Sequence, residues 1–363
     1  MFKTFSASSA IFVVATLLLA ISGSQAQFQN GGQSTTLRVP LTSQRAVTAQ
    51  RIGITDVTIT YHRPLVSGRA IWGKTVPYGE VWRAGANENT TIEFTDPVNI
   101  AGRPLSKGIY GLHMIPGENE WTIIFSKAYT SWGSFTYDQN EDALRVTARP
   151  QPGDFHEALA YDFDALKPNS AQITLRWEKL AVPFEVSVDV EKTVEASLPA
   201  QLRGWPGYTW DAWDDAATYL LENRGNLQDA LRYEERSIQT EERFENLITK
   251  SRILDAMEKR QEATTARNNA MGQGNVAQLH TYGRFLQNQG KQEQAFEIFR
   301  MNVKKNPDNW LVHSEIARMD CAKGDYENAI KEMKLSVNGA PDNAKPFMQA
   351  MVTRLQGKED INK

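Results

Sequence analysis

Any chemistry in this chain would have to come from few residues: it holds five histidines and one cysteine. His62, His113 and His156 lie far apart, and neither a His-Glu-x-x-His nor a Cys-x-x-Cys spacing occurs. No metal and no other cofactor is therefore expected. The sequence also lacks a Gly-x-Ser-x-Gly elbow and a glycine-rich phosphate loop. A hydrolase would need His113, Glu88 and His62 brought together across strands, or Glu80 and Glu88 as a carboxylate pair of the glycosidase kind. His113 shares its strand face with Ile109 and Ile115, the pattern of a partly buried core histidine. No catalytic residue is assigned on these grounds.

Binding chemistry is denser. The stretch from Pro64 to Asn89 carries Arg69, Tyr78, Glu80, Trp82, Arg83, Asn87 and Glu88 without clean alternation, and Arg63 stands just before it. In one reading Arg63, Arg69 and Arg83 clamp an anionic group while Trp72 and Trp82 stack on a sugar or peptide. In the other, Arg83–Glu88 and Arg69–Glu80 ion pairs fix the loop and the tryptophans are core. The several Gly and Pro residues favour a fixed shape held by internal bonds. The ligand-binding candidates are Arg63, Arg69, Trp82, Arg83, Asn87, Glu88 and His113.

These residues need a scaffold, and the period of the apolar residues supplies one. Val57, Ile59 and Tyr61 alternate with polar residues, as do Ile92 and Phe94, Leu144 and Val146, Ile173 to Trp177, and Phe184 to Val190. That is the pattern of strands wetted on one face. Turn signals stand between them at Ala101-Gly102, Ser106 to Gly108, Pro116 to Asn119 and Lys167 to Asn169. Roughly eight to ten short strands joined by tight turns predict an antiparallel sandwich over 46–192.

Beyond Trp213 the period becomes helical, and the chain repeats. Gly290, Ala295, Phe299 and Pro307 recur 34 residues later as Gly324, Ala329, Met333 and Pro341. In such a unit glycine ends the first helix, alanine lets the second pack closely, and Pro-Asp-Asn opens the next. These residues resemble the tetratricopeptide repeat family, whose unit is two antiparallel helices. Clear repeats are placed at 276–309 and 310–343, two degenerate ones or an unrelated helical hairpin at 211–275, and a last helix at 344–356, within a helical region of 211–357. In this register Arg284 and Arg318 share one position, with His280 close by. They are candidates to line a groove for an acidic or C-terminal peptide. The aromatic linker at 193–210, with Trp205 and Tyr208, and the nearby Trp210 and Trp213 are expected to pack the strand domain against the first helices.

The residues Tyr61-His62-Arg63-Pro64, Val76 to Trp82, Arg83-Ala84-Gly85-Ala86-Asn87-Glu88, Gly108-Ile109-Tyr110 and Trp132-Gly133 resemble an exported bacterial family designated domain of unknown function 2911. The resemblance implies an exported protein, mostly of Bacteroidota-type bacteria, often with helical repeats behind the domain. It implies no reaction.

Charge and composition narrow the remaining classes. With 40 Lys+Arg against 43 Asp+Glu and a net charge of −3, the chain lacks the basic footprint that nucleic acid requires. Lys3, the apolar run Ala10 to Ile21 and the small residues Ser24 and Ala26 read as a signal peptide over 1–26, cleaved near Ala26. A flexible leader is expected at 27–45. No other stretch reaches the ~20 apolar residues of a membrane span. Cys321 has no disulfide partner and reads as a small packed residue. The sum is a two-domain chain: an antiparallel all-β sandwich followed by an all-α tetratricopeptide-like solenoid. It is expected to be a periplasmic or secreted interaction protein, with small-ligand or glycan binding at 64–89, or hydrolysis, as alternatives.

Overall fold

In a computed structural model of the chain, residues 40–362 are described. The expected signal peptide and most of the expected leader lie outside them. The chain first forms ten strands and then ten α-helices among these residues.

A six-stranded antiparallel sheet has the order β1-β2-β3-β6-β7-β8, and a four-stranded one the order β5-β4-β10-β9. The first comprises β1 (Gln44–Ile52), β2 (Thr55–Arg63), β3 (Thr91–Phe94), β6 (Gly108–Ile115), β7 (Trp121–Ser126) and β8 (Asp142–Ala148). The second comprises β4 (Val98–Ile100), β5 (Arg103–Leu105), β9 (Gln151–Lys167) and β10 (Ser170–Ser187). Ile59, Ile92, Leu112, Ile123 and Phe125 of the first sheet meet Ile100, Leu159, Ile173, Leu175 and Val186 of the second in one continuous core. The predicted sandwich is therefore present, because each strand's apolar face can be buried only against the other sheet.

Two strand expectations change. Ile173 to Trp177 and Phe184 to Val190 read as separate strands, yet both sides of the break belong to β10. Glu178 at φ +55° sits where the pairing with β9 shifts register, so an irregularity rather than a turn interrupts the alternation. Val190, the last apolar residue of that pattern, instead opens helix α1 (Val190–Gln201), which Asp189 caps by accepting from Lys192 N at 3.1 Å. At the start, β1 begins at Gln44, inside the span expected to be leader.

Helix α1 also fills much of the expected linker. Val194, Leu198 and Leu202 pack onto α2 (Trp210–Glu222) and α3 (Leu227–Thr240). The linker aromatics are not needed there. Trp205 and Tyr208 touch each other at 5.9 Å while remaining 81% and 75% exposed. Trp213 packs on Tyr233 at 5.7 Å, and Arg243 lies over Trp210 at 5.9 Å. The sandwich meets the helices at Val190, whose side chain rests on the β1–β2 turn. A Cβ on Gly53 would come within 2.8 Å of it.

The next helices run as hairpins: α2 with α3, α4 (Phe244–Ala256) with α5 (Arg260–Gln273), α6 (Val276–Asn288) with α7 (Gln292–Lys305), and α8 (Trp310–Ala322) with α9 (Tyr326–Gly339). Helix α10 (Lys345–Gln356) closes the stack. The stretch 211–275 thus consists of helix hairpins like those after it. Gly290 and Gly324 end α6 and α8 with φ of +71° and +79°, a conformation that costs glycine little. Asn309 caps α8 by accepting from Leu311 N at 3.0 Å, which explains the Pro-Asp-Asn signal. Packing between the two helices of a unit is complementary in size. Phe299 faces Gly283, where a Cβ would come within 2.3 Å of the ring, whereas the next unit places Met333 and Ala317 in one cluster. Between α2, α3 and α4, the Asp214 and Glu234 carboxyls lie close enough in the interior to act on one another, and Glu234 is fully buried.

Candidate functional site

Strand register assembles a polar row on the outer face of the six-stranded sheet. Arg45 pairs with His62 between β1 and β2. Across β3, Thr60, Thr91 and Gly111 stand side by side. Just before β3, Asn89 comes beside His113: a Cβ on Gly111 would come within 2.7 Å of Asn89 Nδ2 and 3.2 Å of His113 Nε2. His113 then stands opposite Ile124 of β7, and Ile124 opposite Arg145 of β8. Alternate residues such as Tyr61, Leu112 and Met114 face the core, so His113 points away from it. The expectation of a core histidine is corrected: His113 is buried on the opposite face, under a loop.

That loop, 127–138, is tied to the row at several points. Asn89 donates through its backbone N–H to Ser131 O at 3.3 Å and through Nδ2 to Ala128 O at 3.2 Å. His113 Nδ1 lies 2.9 Å from Ser134 Oγ, and its ring faces Tyr137 at 5.5 Å. Tyr137 donates to Asp142 Oδ2 at 2.7 Å, and Arg145 Nε donates to the same oxygen at 2.6 Å. Gly133, at φ +67°, lies against Arg83; a Cβ there would come within 3.2 Å of Nη1. Glycine is required at Gly111 too, where a Cβ would come within 2.8 Å of Ala128 O.

The electrostatics follow from this burial. Desolvation pushes the His113 imidazole down to about 4, with Asp142 acting in the opposite direction, so the ring is neutral at pH 7 and a weak base. His62 is also pushed down, first by desolvation and further by Arg45 and Arg83, against the pull of Glu88, 3.2 Å away. Burial lowers Arg83. Glu88 pairs with His62.

The other candidates of 63–89 serve the fold. Arg63 Nε donates to Leu159 O at 2.7 Å. Arg69 donates to Val66 O at 3.1 Å and to Leu65 O, so the expected pair with the exposed Glu80 gives way to backbone carbonyls. Asn87, at φ +56°, donates to Ser43 O at 3.1 Å. Trp82 stacks on Trp177 at 6.0 Å and meets Trp72 and Trp121 edge-on, and its Nε1 donates to Gly85 O. A stacking platform for a sugar is thus replaced by a four-tryptophan cluster packed on the sandwich core.

In the helical half, the expected groove residues are engaged within the chain. His280 Nδ1 lies 2.9 Å from Glu315 Oε1, to which Asn302 also donates at 2.8 Å. Arg284 donates to Gln287 Oε1 at 2.5 Å. Arg318 is buried and donates to Ile361 O. Burial, with Arg284 and Arg354 nearby, pushes Arg318 down to about 9. The chain's own segment 359–362 lies across this place. Asn362 donates to Arg318 O at 3.1 Å and accepts from Gln287 at 2.8 Å, Ile361 is buried, and Arg354 donates to Asp360 O at 2.8 Å. Cys321 lies beneath, its Sγ 3.7 Å from Glu359 O, and burial raises its thiol. Sequence reasoning missed Asn89, Ser134 and this segment. A short polar stretch after the last helix carries no periodic signal.

Comparisons with known proteins found one family model and several solved structures. Residues 43–186 match the family described as a protein of unknown function, DUF2911. No curated protein matches the chain. Among solved structures, MamA is 14% identical, with 45% of this chain and 92% of that one covered and a TM-score of 0.28. A tetratricopeptide repeat protein from Parabacteroides merdae is 16% identical, with coverage of 47% and 68% and a TM-score of 0.29. YrrB, titled a TPR protein with an unusual peptide-binding site, is 14% identical, with coverage of 44% and 84% and a TM-score of 0.26. No helix among the described residues is long and apolar enough to cross a membrane.

Proposed function

We propose that this chain is an exported interaction protein whose helical repeats receive an acidic peptide segment at Arg318. The observation that carries the reading is the occupant already there. Residues 359–362 lie outside any helix or strand, held through a backbone carbonyl by Arg318 and through a side-chain amide by Gln287. Those are contacts a peptide from another chain can reproduce, since they read backbone and one amide more than a unique sequence. Glu359 and Asp360 bring negative charge to a place where Arg284, Arg318 and Arg354 converge. Export rests on the N-terminal residues 1–26 and their signal-like order.

The test uses a chain shortened to end at Gly357 and a labelled peptide of residues 358–363. The shortened chain is expected to bind the peptide, the full chain to bind it at least about tenfold more weakly because its own segment competes, and Arg318→Leu in the shortened chain to abolish binding. A shortened chain that keeps its helical circular dichroism and binds no peptide would overturn the reading. Loss of the buried Ile361 is expected to lower the stability of the helical half by about 1.5–3 kcal/mol, measured by thermal denaturation.

A further inference from the structure

We infer that the outer face of the six-stranded sheet, beneath loop 127–138, binds a small hydroxylated anion through Arg83 and Asn89. The case begins with hydrogen-bonding groups left unmet. Arg83 Nε is buried with no acceptor among the described residues, and Asn89 Oδ1 is buried with no donor. Asn89 is only 6% exposed, and its orientation is fixed because Nδ2 donates to Ala128 O. An orphaned donor and an orphaned acceptor on one site each cost free energy unless something pairs with them. A partner for both must present an acceptor to a guanidinium and a hydroxyl or amine to an amide oxygen.

Three loop contacts show that these groups belong to one place. Ser131 O accepts from Asn89, Gly133 lies against Arg83, and Ser134 Oγ meets His113, all within four consecutive loop residues. Charge selects the sign of the ligand. Arg45 and Arg83 near His62 and Arg145 at Asp142 outnumber the two carboxylates of the row, Glu88 and Asp142. The balance favours an anion, and a half-buried guanidinium such as that of Arg83 binds a carboxylate or a phosphate through paired, charge-assisted bonds. The rim supplies the remaining surface. Phe135 is 83% exposed and Trp132 53% exposed, and a Cβ on Gly133 would come within 3.0 Å of the Phe135 ring. Large aromatics held at the edge of a polar site offer an apolar wall to the carbon skeleton of a sugar acid or sugar phosphate.

The experiment is calorimetric titration of the full chain with gluconate and glucose 6-phosphate, against acetate, inorganic phosphate and glucose. At least one of the hydroxylated anions is expected to bind, and to do so at least about tenfold more tightly than the simple anion of its own class or than neutral glucose. Binding of gluconate alone identifies the carboxylate, and of glucose 6-phosphate alone the phosphate. Arg83→Met is expected to weaken the bound probe by a further factor of ten or more, with the melting temperature retained. Phe135→Ala, on an exposed side chain that the fold does not need, is expected to weaken it severalfold whether or not Arg83→Met folds. Equal binding of glucose, binding unchanged in Phe135→Ala and in a folded Arg83→Met chain, or no binding by either hydroxylated anion would overturn the inference.

Discussion

Replacing Glu234 by Gln is expected to stabilise the helical half by about 3 kcal/mol at pH 7, and to flatten a decline of stability that the native chain shows as pH rises. Desolvation first, then Asp214, pushes the Glu234 carboxyl up to about 10 from its ordinary 4.5, and Asp214 is itself raised by burial. The proton resides on Glu234 and Asp214 accepts it, so the pair titrates as a unit. The folded chain keeps this proton while the unfolded one gives it up above about pH 4.5. Unfolding therefore releases a proton between 4.5 and about 10, and stability falls by about 1.4 kcal/mol per pH unit across that window. Gln keeps the donor to Asp214 and has no proton to lose. Thermal denaturation followed by circular dichroism at pH 5, 7 and 9 is the check. At pH 7 the variant is expected to melt roughly 5–10 °C higher, with little difference at pH 5. An unchanged slope in the variant would place the proton elsewhere.

Trp82→Ala is expected to destabilise the sandwich by about 3–5 kcal/mol. Its indole stacks on Trp177 and meets Trp72 and Trp121 edge-on, while its backbone exchanges hydrogen bonds of 2.8 Å with Met114. Removal opens a void in a place walled by three other large rings, which have no small neighbour with which to fill it. Tryptophan fluorescence in a urea titration reports the sandwich, because most of the chain's tryptophans belong to it. The midpoint is expected to fall while the helical circular dichroism holds. A variant that melts with the native chain would restore Trp82 to the role of an exposed platform.

The contrast between Trp82 and Arg83 shows what the sequence could convey. Apolar alternation announced β2, β3, β8 and both parts of β10, since a period of two is a local property of the chain. The 34-residue recurrence of Gly290, Ala295 and Phe299 announced the helix hairpins for the same reason, through caps and close packing that each unit satisfies on its own. Register is not local. That Asn89 stands beside His113 follows from how the chain before β3 meets β6, which no single segment encodes. The roles within 63–89 were likewise undecidable from residue type. An arginine reads the same whether it holds a carbonyl, as Arg63 does at Leu159, or keeps a buried Nε unpaired, as Arg83 does. The neighbours of Arg284 and Arg318 at 359–362 were invisible because a stretch without period gives no hint of where it docks.

Cys321 beneath segment 359–362 makes the chain its own reporter. A buried thiol of raised pKa reacts with an alkylating reagent only while its cover is lifted, so the labelling rate equals the rate of a free thiol multiplied by the fraction of time the segment stands open. With a single cysteine in the sequence, no second signal confuses the measurement. A competing peptide that displaces the segment and covers the sulfur in its turn would leave that rate low. A partner that merely holds the segment away would raise it toward the rate of the exposed thiol. Exchange of one occupant for another is thereby separated from simple opening by chemistry at one atom.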